Sequence, residues 1–246
     1  MRILSIDWDF FFPNGIWYDW GHSEHNSIFA EFVWNIRAQS RHAKTGLQAI
    51  NECVPDTNML RWFWRRVLDG VVDRLWIAES HQQMYDVVSG LGEPTEIWNF
   101  DAHHDCGYVD GLREDIDCGN WGWHLLRDGH ASKIIQVYPE WRKDDPEDYR
   151  ERPADHQYEV RYWPDSQPMA FDCMYVCRSP AWSPSWADAA WLRFIRRAQD
   201  MACSGSTIKS AMKKRRFDPV DFEALTTASG TSIGALNSLV MAEAKL

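Results

Sequence analysis

The stretch EIWNFDAHHD, residues 96–105, indicates both a fold and a site. Its first five residues are a β-prone run with the length of a buried strand. Four ionisable side chains then follow within five residues: Asp101, His103, His104 and Asp105. Such a cluster directly after a strand is either a solvated turn or a set of side chains around a cation. The rest of the chain has to decide between the two.

Segments typical of strands and helices alternate along the chain. Runs of β-prone residues predict strands at 2–6, 74–80, 96–100, 133–139 and 171–180. Apolar residues at helical spacing, with Asp56 or Thr57 as a capping residue in one case, predict helices at 28–38, 56–69, 82–90, 121–129 and 185–200. Because this alternation is typical of βαβ units, we expect a three-layer α/β/α fold with a mainly parallel sheet.

The segments between these elements suggest one large domain and a tail. Residues 11–27 are rich in aromatic and turn-forming residues and are predicted to form a loop. The polar, proline-containing residues 140–168 are predicted to form an excursion from the domain. Residues 203–246 are small and polar and carry a KKRR run that we interpret as solvated surface. We expect them to be a polar, partly helical extension of an α/β domain at 1–202.

Composition excludes several classes of protein. Of the 246 residues, 45% are hydrophobic and 25% are charged, as in ordinary globular domains. Acidic residues outnumber basic ones, 36 to 26, which argues against nucleic acid as a partner. No run of apolar residues is as long as the hydrophobic segment of a signal peptide or a membrane span, so we expect no membrane partner. Six scattered cysteines are typical of reduced thiols, and we expect a cytoplasmic protein.

Three of the predicted strands end in side chains of the types that can bind metals. The first ends in Asp7 and Asp9, the second in Glu79 and His81, and the third in the cluster that begins at Asp101. The carboxyl ends of parallel strands meet at one edge of a sheet, where open α/β folds bind their ligands. These side chains are therefore expected to come together.

The parity of an extended chain selects six candidate metal ligands from these clusters. Alternate residues face the same way, which turns His104 away from its neighbours. The remaining side chains are four carboxylates and two imidazoles: Asp7, Asp9, Asp101, Asp105, His81 and His103. Four carboxylates packed without a counter-charge would repel one another, and these motifs contain no basic residue to neutralise them. One or two divalent cations remove the repulsion, and oxygen-rich ligation favours manganese over a sulfur-bound zinc.

Each cluster alone also has a simpler explanation. An Asp-Trp-Asp sequence after a strand is compatible with a turn, and a single histidine is more often hydrogen-bonded than a ligand. The DAHHD cluster could begin a helix as an N-cap. Three clusters at one sheet edge, with complementary ligand types, favour the metal site.

The motifs at these positions resemble those of a known superfamily. SIDWD at 5–9 resembles the SxDxD signature of the arginase and ureohydrolase superfamily, and FDAHHD at 100–105 resembles its DAHxD signature. DCGNWGWHLL at 117–126 is similar to the family's glycine–asparagine segment. CRSP at 177–180 is similar to a late strand end in the small arginase-like group that includes peptide arginases. The resemblance covers about residues 3–190 and implies an arginase/deacetylase-like fold.

The resemblance also implies an activity and a cofactor. It implies hydrolysis of a guanidino C–N bond, with arginine, free or within a peptide, converted to ornithine and urea. It implies two Mn2+ ions held by the six ligands, with Asp7 and Asp101 as bridges, His81 and Asp105 completing one coordination shell, and Asp9 and His103 completing the other.

Four further residues are candidates for catalysis or substrate binding. His124 is the candidate proton shuttle, with His104 second, because imidazole exchanges protons near neutral pH. Asn120 either orients the substrate or caps the following helix. Glu79 either contacts a cationic substrate or supports His81 from behind.

Two other functions fit the same sequence. A deacetylase-like amidohydrolase would use one zinc ion held by two aspartates and a histidine, although the additional pair Asp7 and Asp9 favours two metals. A binding protein without turnover is the second alternative. It is kept open because AESHQ at 78–82 replaces the family's GGDHS and because the late glutamate that binds guanidinium in arginases has no counterpart.

Overall fold

A parallel sheet of seven strands forms the centre of the first unit in the computed structural model, which describes residues 1–13, 34, 53–108, 114–144, 156–164, 167–209, 212 and 214–215. The strands are β1 (Arg2–Asp7), β2 (Arg74–Ala78), β3 (Thr95–Phe100), β4 (Ala131–Tyr138), β5 (Tyr158–Tyr162), β6 (Cys173–Cys177) and β7 (Thr207–Lys209). They lie in the order β5-β4-β3-β1-β6-β2-β7, and every neighbouring pair is parallel. The predicted parallel sheet is confirmed.

Helices cover both faces of the sheet. They are α1 (Thr57–Val67), α2 (Gln83–Ser89), α3 (Trp121–Arg127) and α4 (Asp188–Asp200), with 3-10 turns at Trp8–Phe11, Glu140–Lys143 and Ser185–Ala187. Right-handed crossovers place α1 and α4 on one face and α2 and α3 on the other. Accordingly, Trp64 of α1 stacks on Phe194 of α4, with ring centroids 4.6 Å apart. The protein is therefore a three-layer α/β/α fold, as predicted.

Aromatic side chains fill the layer between the sheet and the helices α1 and α4. The ring of Phe63 has its centroid 5.1–5.9 Å from five others: Phe10, Phe11, Phe100, Trp163 and Phe194. Trp8 and Trp191 are completely buried in the same layer. Burial of such large apolar surfaces stabilises the domain, so these tryptophans belong to the core.

The start of α1 shows how the sequence sets an element boundary. The Asp56 carboxylate accepts hydrogen bonds from the backbone N–H groups of Asn58 (2.7 Å) and Met59 (3.0 Å). These donors have no partner within the helix, so the side chain satisfies them. Of the two predicted caps, Asp56 is the one observed.

Two strands were not predicted. β5 lies within residues 140–168, so the prediction of an irregular excursion is wrong for that part. Its sequence YEVRY carries Glu159 and Arg161, which are typical of an edge strand facing solvent and obscure the apolar pattern. β7 has only three residues and forms the opposite edge. The predicted helix at 28–38 lies outside the described residues, apart from Trp34, which is helical.

The chain divides into two units. The first comprises residues 1–13, 55–179 and 189–212 and contains the sheet; the second comprises residues 14–54, 180–188 and 213–246. Most of the predicted extension at 203–246 lies outside the described residues. No helix within the described ranges is long and apolar enough to cross a membrane.

One residue of the KKRR run is buried within the second unit. The guanidinium of Arg215 donates to the carbonyl of Ser183 (2.6 Å) and pairs with the carboxylate of Asp188. Main-chain carbonyls and one carboxylate take the place of water around this cation. The interpretation of the run as solvated surface is therefore wrong for Arg215.

Candidate metal centre

The carboxyl ends of four neighbouring strands, β3, β1, β6 and β2, form one buried site. β1 ends at Asp7, β3 leads into Asp101, β6 ends at Cys177, and His81 follows β2 by three residues. The connections from β1 to β2 and from β2 to β3 run in opposite directions across the sheet. Such reversals create the crevice in which α/β sheets bind ligands.

The six side chains predicted as metal ligands meet there in one group, which we call the carboxylate cluster: Asp7, Asp9, His81, Asp101, His103 and Asp105. All six are buried. His81 Nδ1 lies 2.9 Å from Asp101 Oδ2, 3.0 Å from Asp105 Oδ2 and 3.3 Å from Asp7 Oδ2. On the other side, His103 Nδ1 lies 2.7 Å from Asp9 Oδ2 and 3.7 Å from Asp101 Oδ1.

Asp101 is shared between two groups of ligand atoms. One group contains Asp9, Asp101 and His103, and the other contains His81, Asp101 and Asp105; within each, the ligand atoms lie within 4.8 Å of one another. One Asp101 oxygen faces each group. Adjacent ligands of an octahedral ion with bonds of about 2.1 Å are about 3.0 Å apart. The spacing around His81 therefore matches a coordination shell.

Two buried polar atoms of the cluster make no hydrogen bond: His81 Nδ1 and Asp9 Oδ2. Both atoms nevertheless have charged neighbours: three carboxylate oxygens lie 2.9–3.3 Å from His81 Nδ1, and His103 Nδ1 lies 2.7 Å from Asp9 Oδ2. A buried polar atom without a partner costs about 1–3 kcal/mol. A cation in each ligand group, one coordinated by His81 Nδ1 and the other by Asp9 Oδ2, would remove this cost, so the donor set fits divalent metals.

The pKa values of three residues in the carboxylate cluster also favour a bound cation. Burial raises the pKa of Asp9, and the charges of Asp7 and Asp101 raise it further. Burial likewise raises the pKa of Asp105, with a further contribution from Asp101. For His81, burial alone would lower the pKa, but the neighbouring thiol and carboxylates outweigh it and raise the pKa. Without a cation, the cluster thus retains protons that a metal would displace.

Comparison with protein-family models, curated proteins and solved structures finds no match. The geometry of the carboxylate cluster and the motifs of the chain therefore carry the functional argument.

The ring of His81 is held in place from outside the cluster. Ser5 Oγ lies 2.7 Å from His81 Nε2, which leaves Nδ1 to face the carboxylates. The ring also contacts the aromatic rings of Trp121 and Tyr175, with centroids 4.6 and 5.8 Å away. A hydrogen bond to the outer nitrogen holds the orientation of a ligating histidine. Ser5, the first residue of SIDWD, thus holds the candidate ligand His81 in place.

We expect Ser5→Ala to weaken metal binding by about 10- to 100-fold, the usual effect of removing an outer partner of a ligating histidine. Titration calorimetry with Mn2+ measures the change. Thr95→Ala is the matched control, because Thr95 is a buried hydroxyl residue at the opposite end of the neighbouring strand β3. Equal affinities of the two variants would contradict this role for Ser5.

The first residues of α3 contact Asp105, the second aspartate of the DAHHD segment. Trp121 Nε1 donates to Asp105 Oδ2 (2.6 Å), and the Gly122 N–H donates to the Asp105 carbonyl (3.0 Å). A Cβ atom on Gly122 would lie 3.0 Å from that carbonyl oxygen and 3.2 Å from Ile134 Cδ1. Only glycine permits this close approach. Asp105 itself has a φ of +50°, a conformation that surrounding contacts must hold.

Gly122→Ala is expected to destabilise the protein by about 1–3 kcal/mol, because a methyl group must displace a backbone carbonyl in a packed core. The displaced residue is Asp105, so Mn2+ affinity should fall as well. Chemical denaturation measures the first effect and calorimetry the second. An Ala variant with unchanged stability and affinity would show that the contact is not tight.

Within the DAHHD segment at 101–105, His104 has different surroundings from His103. Its Nδ1 accepts a hydrogen bond from the Cys106 N–H (3.0 Å), and its ring stacks on Tyr108 with centroids 4.1 Å apart. His104 is not among the atoms that could hold a metal in the described part of the chain. The backbone here is a turn, so the alternation of an extended chain is not what separates the two histidines.

His124, the candidate proton shuttle, is buried in α3. Its ring lies edge-on to Tyr85 of α2, with centroids 6.4 Å apart, and next to Trp123 at 5.4 Å. It follows Trp121 by about one helical turn. The described contacts do not bring its ring to a cluster carboxylate.

Asn120 and Glu79 have partners of their own. The Asn120 side chain accepts from the Asp117 N–H (2.7 Å) and donates to the Asp115 carbonyl (3.0 Å). It therefore joins its own loop and makes no capping hydrogen bond to α3. Glu79 holds the buried guanidinium of Arg178, which donates from Nε at 3.0 Å and from a terminal nitrogen.

Cys177 and Ser179 contact the carboxylate cluster and were not predicted as site residues. Ser179 Oγ donates to Asp7 Oδ2 (2.5 Å), and Cys177 Sγ lies 3.4 Å from the same oxygen. Ser179 has a φ of +45° and, with Asp105, is one of two such non-glycine residues in the described ranges. The sequence indicates that this strand end lies at the same edge of the sheet, because β6 is a predicted strand, but it does not indicate that Asp7 is its neighbour.

Proposed function

We propose that the protein is a manganese-dependent hydrolase of guanidino C–N bonds that resembles arginases. Its substrate would be arginine, free or within a peptide, and its products ornithine and urea. The observation that carries the proposal is the position of Asp101, which gives one oxygen to each of two buried ligand groups. Two-metal hydrolases hold ions about 3.5–4 Å apart in such arrangements. Asp9 and His103 would hold one ion, and His81 and Asp105 the other.

The ions would supply an activated water and stabilise the charge that develops on the substrate. The chain's own side chains fix the ligands that hold them. Trp121 orients Asp105, Ser179 orients Asp7, and Ser5 orients His81. Asp7 is proposed as the second bridge, as the motif resemblance implies. We propose His124 as the donor of the proton that the leaving amine needs, with His104 as second candidate, since imidazole exchanges protons near neutral pH.

Urea release tests the proposal directly. The manganese-loaded protein is incubated with free arginine, with arginine-containing peptides and with other small guanidino compounds, and urea is measured. Urea from at least one of them supports the proposal, and comparison among them identifies the substrate class. An Asp101→Asn variant controls for a contaminating activity. No urea from any guanidino compound, with manganese shown to be bound, would exclude the proposed reaction.

A single-zinc amidohydrolase of deacetylase type is the second candidate. One observation favours it: Asp9, Asp101 and His103 form a group of two aspartates and a histidine without help from the rest of the cluster. One zinc equivalent per chain and hydrolysis of an acyl-amide substrate would support it. Bound metal without turnover of either substrate class would leave the third function, a binding protein.

We also propose a reducing compartment, the cytoplasm, as the setting of this activity. None of the six cysteines, all of which lie in the described part of the chain, is in a disulfide, and five of them are buried. The acidic composition further supports small guanidino compounds or arginine peptides as partners, and not nucleic acid or membrane.

A further inference from the structure

Cys177 supplies a sulfur atom to one side of the carboxylate cluster. It is completely buried at the end of β6, with its Sγ 3.4 Å from Asp7 Oδ2. The ligand atoms of Asp7, His81 and Cys177 lie within 4.8 Å of one another. Carboxylate oxygen, imidazole nitrogen and thiolate sulfur are together the donor types that zinc takes.

His81 provides an independent indication that an ion belongs at this corner. It is 1% exposed, and its Nδ1 makes no hydrogen bond although it faces the cluster. The other ring nitrogen is held by Ser5, so the ring cannot turn away without losing that contact. A buried nitrogen fixed in this direction is positioned to coordinate a cation.

The two sides of the cluster differ in chemistry. Among the described residues, the group around His103 offers only two carboxylates and one imidazole. His81 belongs to a group of the same donor types with Asp101 and Asp105, and also to a separate group with Asp7 and the Cys177 sulfur. Soft sulfur ligands favour zinc and other thiophilic ions, whereas oxygen-rich sets suit manganese. The His81 side of the cluster, which the sulfur adjoins through Asp7 and His81, is therefore not equivalent to the His103 side.

We propose that Cys177 is a metal ligand and that the position beside His81 takes zinc or another thiophilic divalent ion in preference to manganese. This inference rests on the metal centre of the proposed function and adds an asymmetry to it. On binding, the thiol proton leaves to solvent and the thiolate bonds to the ion, so no oxidant or reductant is needed. A protein exposed to both metals holds zinc beside His81 and manganese beside His103.

Cobalt substitution tests the sulfur ligand by absorption. Co2+ bound to a thiolate gives a charge-transfer band in the near ultraviolet, which oxygen and nitrogen ligands do not give. All proteins carry Cys203→Ser, because Cys203 is exposed and could bind the ion adventitiously. We expect the band in this background and in the control Cys173→Ser, whose thiol lies at the opposite end of β6. Cys177→Ser should bind Co2+ without the band.

Competition binding tests the selectivity. We expect Cys177→Ser to lower Zn2+ affinity at least about tenfold and to change Mn2+ affinity much less, since a lost soft ligand affects the softer ion more. Equal losses for both ions would overturn the proposal. So would a charge-transfer band that persists in Cys177→Ser.

X-ray absorption of the zinc-loaded Cys203→Ser protein keeps the test decisive if Cys177→Ser fails to fold. One sulfur at about 2.3 Å from zinc supports the proposal, and a shell of nitrogen and oxygen alone overturns it. The outcome is separable from that of the proposed function. Two bound ions and urea release without a zinc–sulfur bond would remove only the role of Cys177, whereas a missing urea activity with the bond present would remove only the reaction.

Discussion

Asp101→Asn is expected to remove both metal ions and to lower turnover by at least about a thousandfold, since shared metals contribute several kcal/mol to transition-state stabilisation and each 1.36 kcal/mol is tenfold. The reason is geometric. Asp101 gives Oδ2 to the group around His81 and Oδ1 to the group around His103. An amide keeps the shape of the side chain but removes the negative charge that both groups share. Metal content after desalting and urea release measure the two effects.

Asp9→Asn is the matched comparison for this variant. Asp9 belongs to the group around His103 and not to the group around His81. We expect it to lose one ion and to retain the other. If Asp101→Asn and Asp9→Asn lose the same amount of metal, Asp101 is not a shared ligand. If Asp101 were only a turn or capping residue, its replacement by Asn, which caps helices about as well as Asp, would change stability little and remove no metal.

Removing metal with a chelator is expected to lower the melting temperature by about 8–16 °C relative to protein in excess Mn2+. A ligand at about 1,000 times its Kd stabilises the fold by about 4.1 kcal/mol, and each kcal/mol corresponds to about 2–4 °C in a domain of this size. Differential scanning calorimetry measures the shift. Ca2+ at the same concentration is the control, because it prefers all-oxygen shells of six to eight ligands. Equal melting temperatures with and without manganese would contradict a buried metal centre.

The stabilisation by manganese should increase with pH. Folding raises the pKa of Asp9 and Asp105, so the metal-free fold binds protons that the unfolded chain has released above about pH 4. The stability from these protons is fully present below that value and is lost as the pH rises through the raised folded pKa. Manganese replaces the protons. The difference in melting temperature between the manganese-loaded and the metal-free protein should therefore be larger at about pH 8 than at about pH 6. A difference in melting temperature that becomes smaller as the pH rises over this range would contradict the displacement of protons by manganese.

The parts of the site that could be predicted from sequence are those that local patterns determine. The apolar runs before Asp7, His81 and Asp101 predict strands, and parallel strands bring their ends to one edge. Those two steps suffice to assemble the six cluster residues without knowledge of the strand order. The alternation rule groups Asp101 with His103 and Asp105, and the structure brings these three together although Asp105 has a positive φ and is not in an extended strand.

The parts that could not be predicted depend on long-range packing. β6 inserts between β1 and β2, which brings Cys177 and Ser179 to Asp7 from 170 and 172 residues away. Nothing local to CRSP specifies that neighbour. The partners of Asn120 and Glu79 were also unpredictable, because a polar side chain in a loop can bond its own loop, a helix end or a ligand equally well.

The measurement that tests the metal centre most directly is a crystal structure of the manganese-soaked protein with anomalous difference density. We expect two peaks, one on each side of Asp101, of which one is bound by Asp9 and His103 and the other by His81 and Asp105. No peak within the carboxylate cluster, or a single peak that Asp101 does not contact, would contradict it.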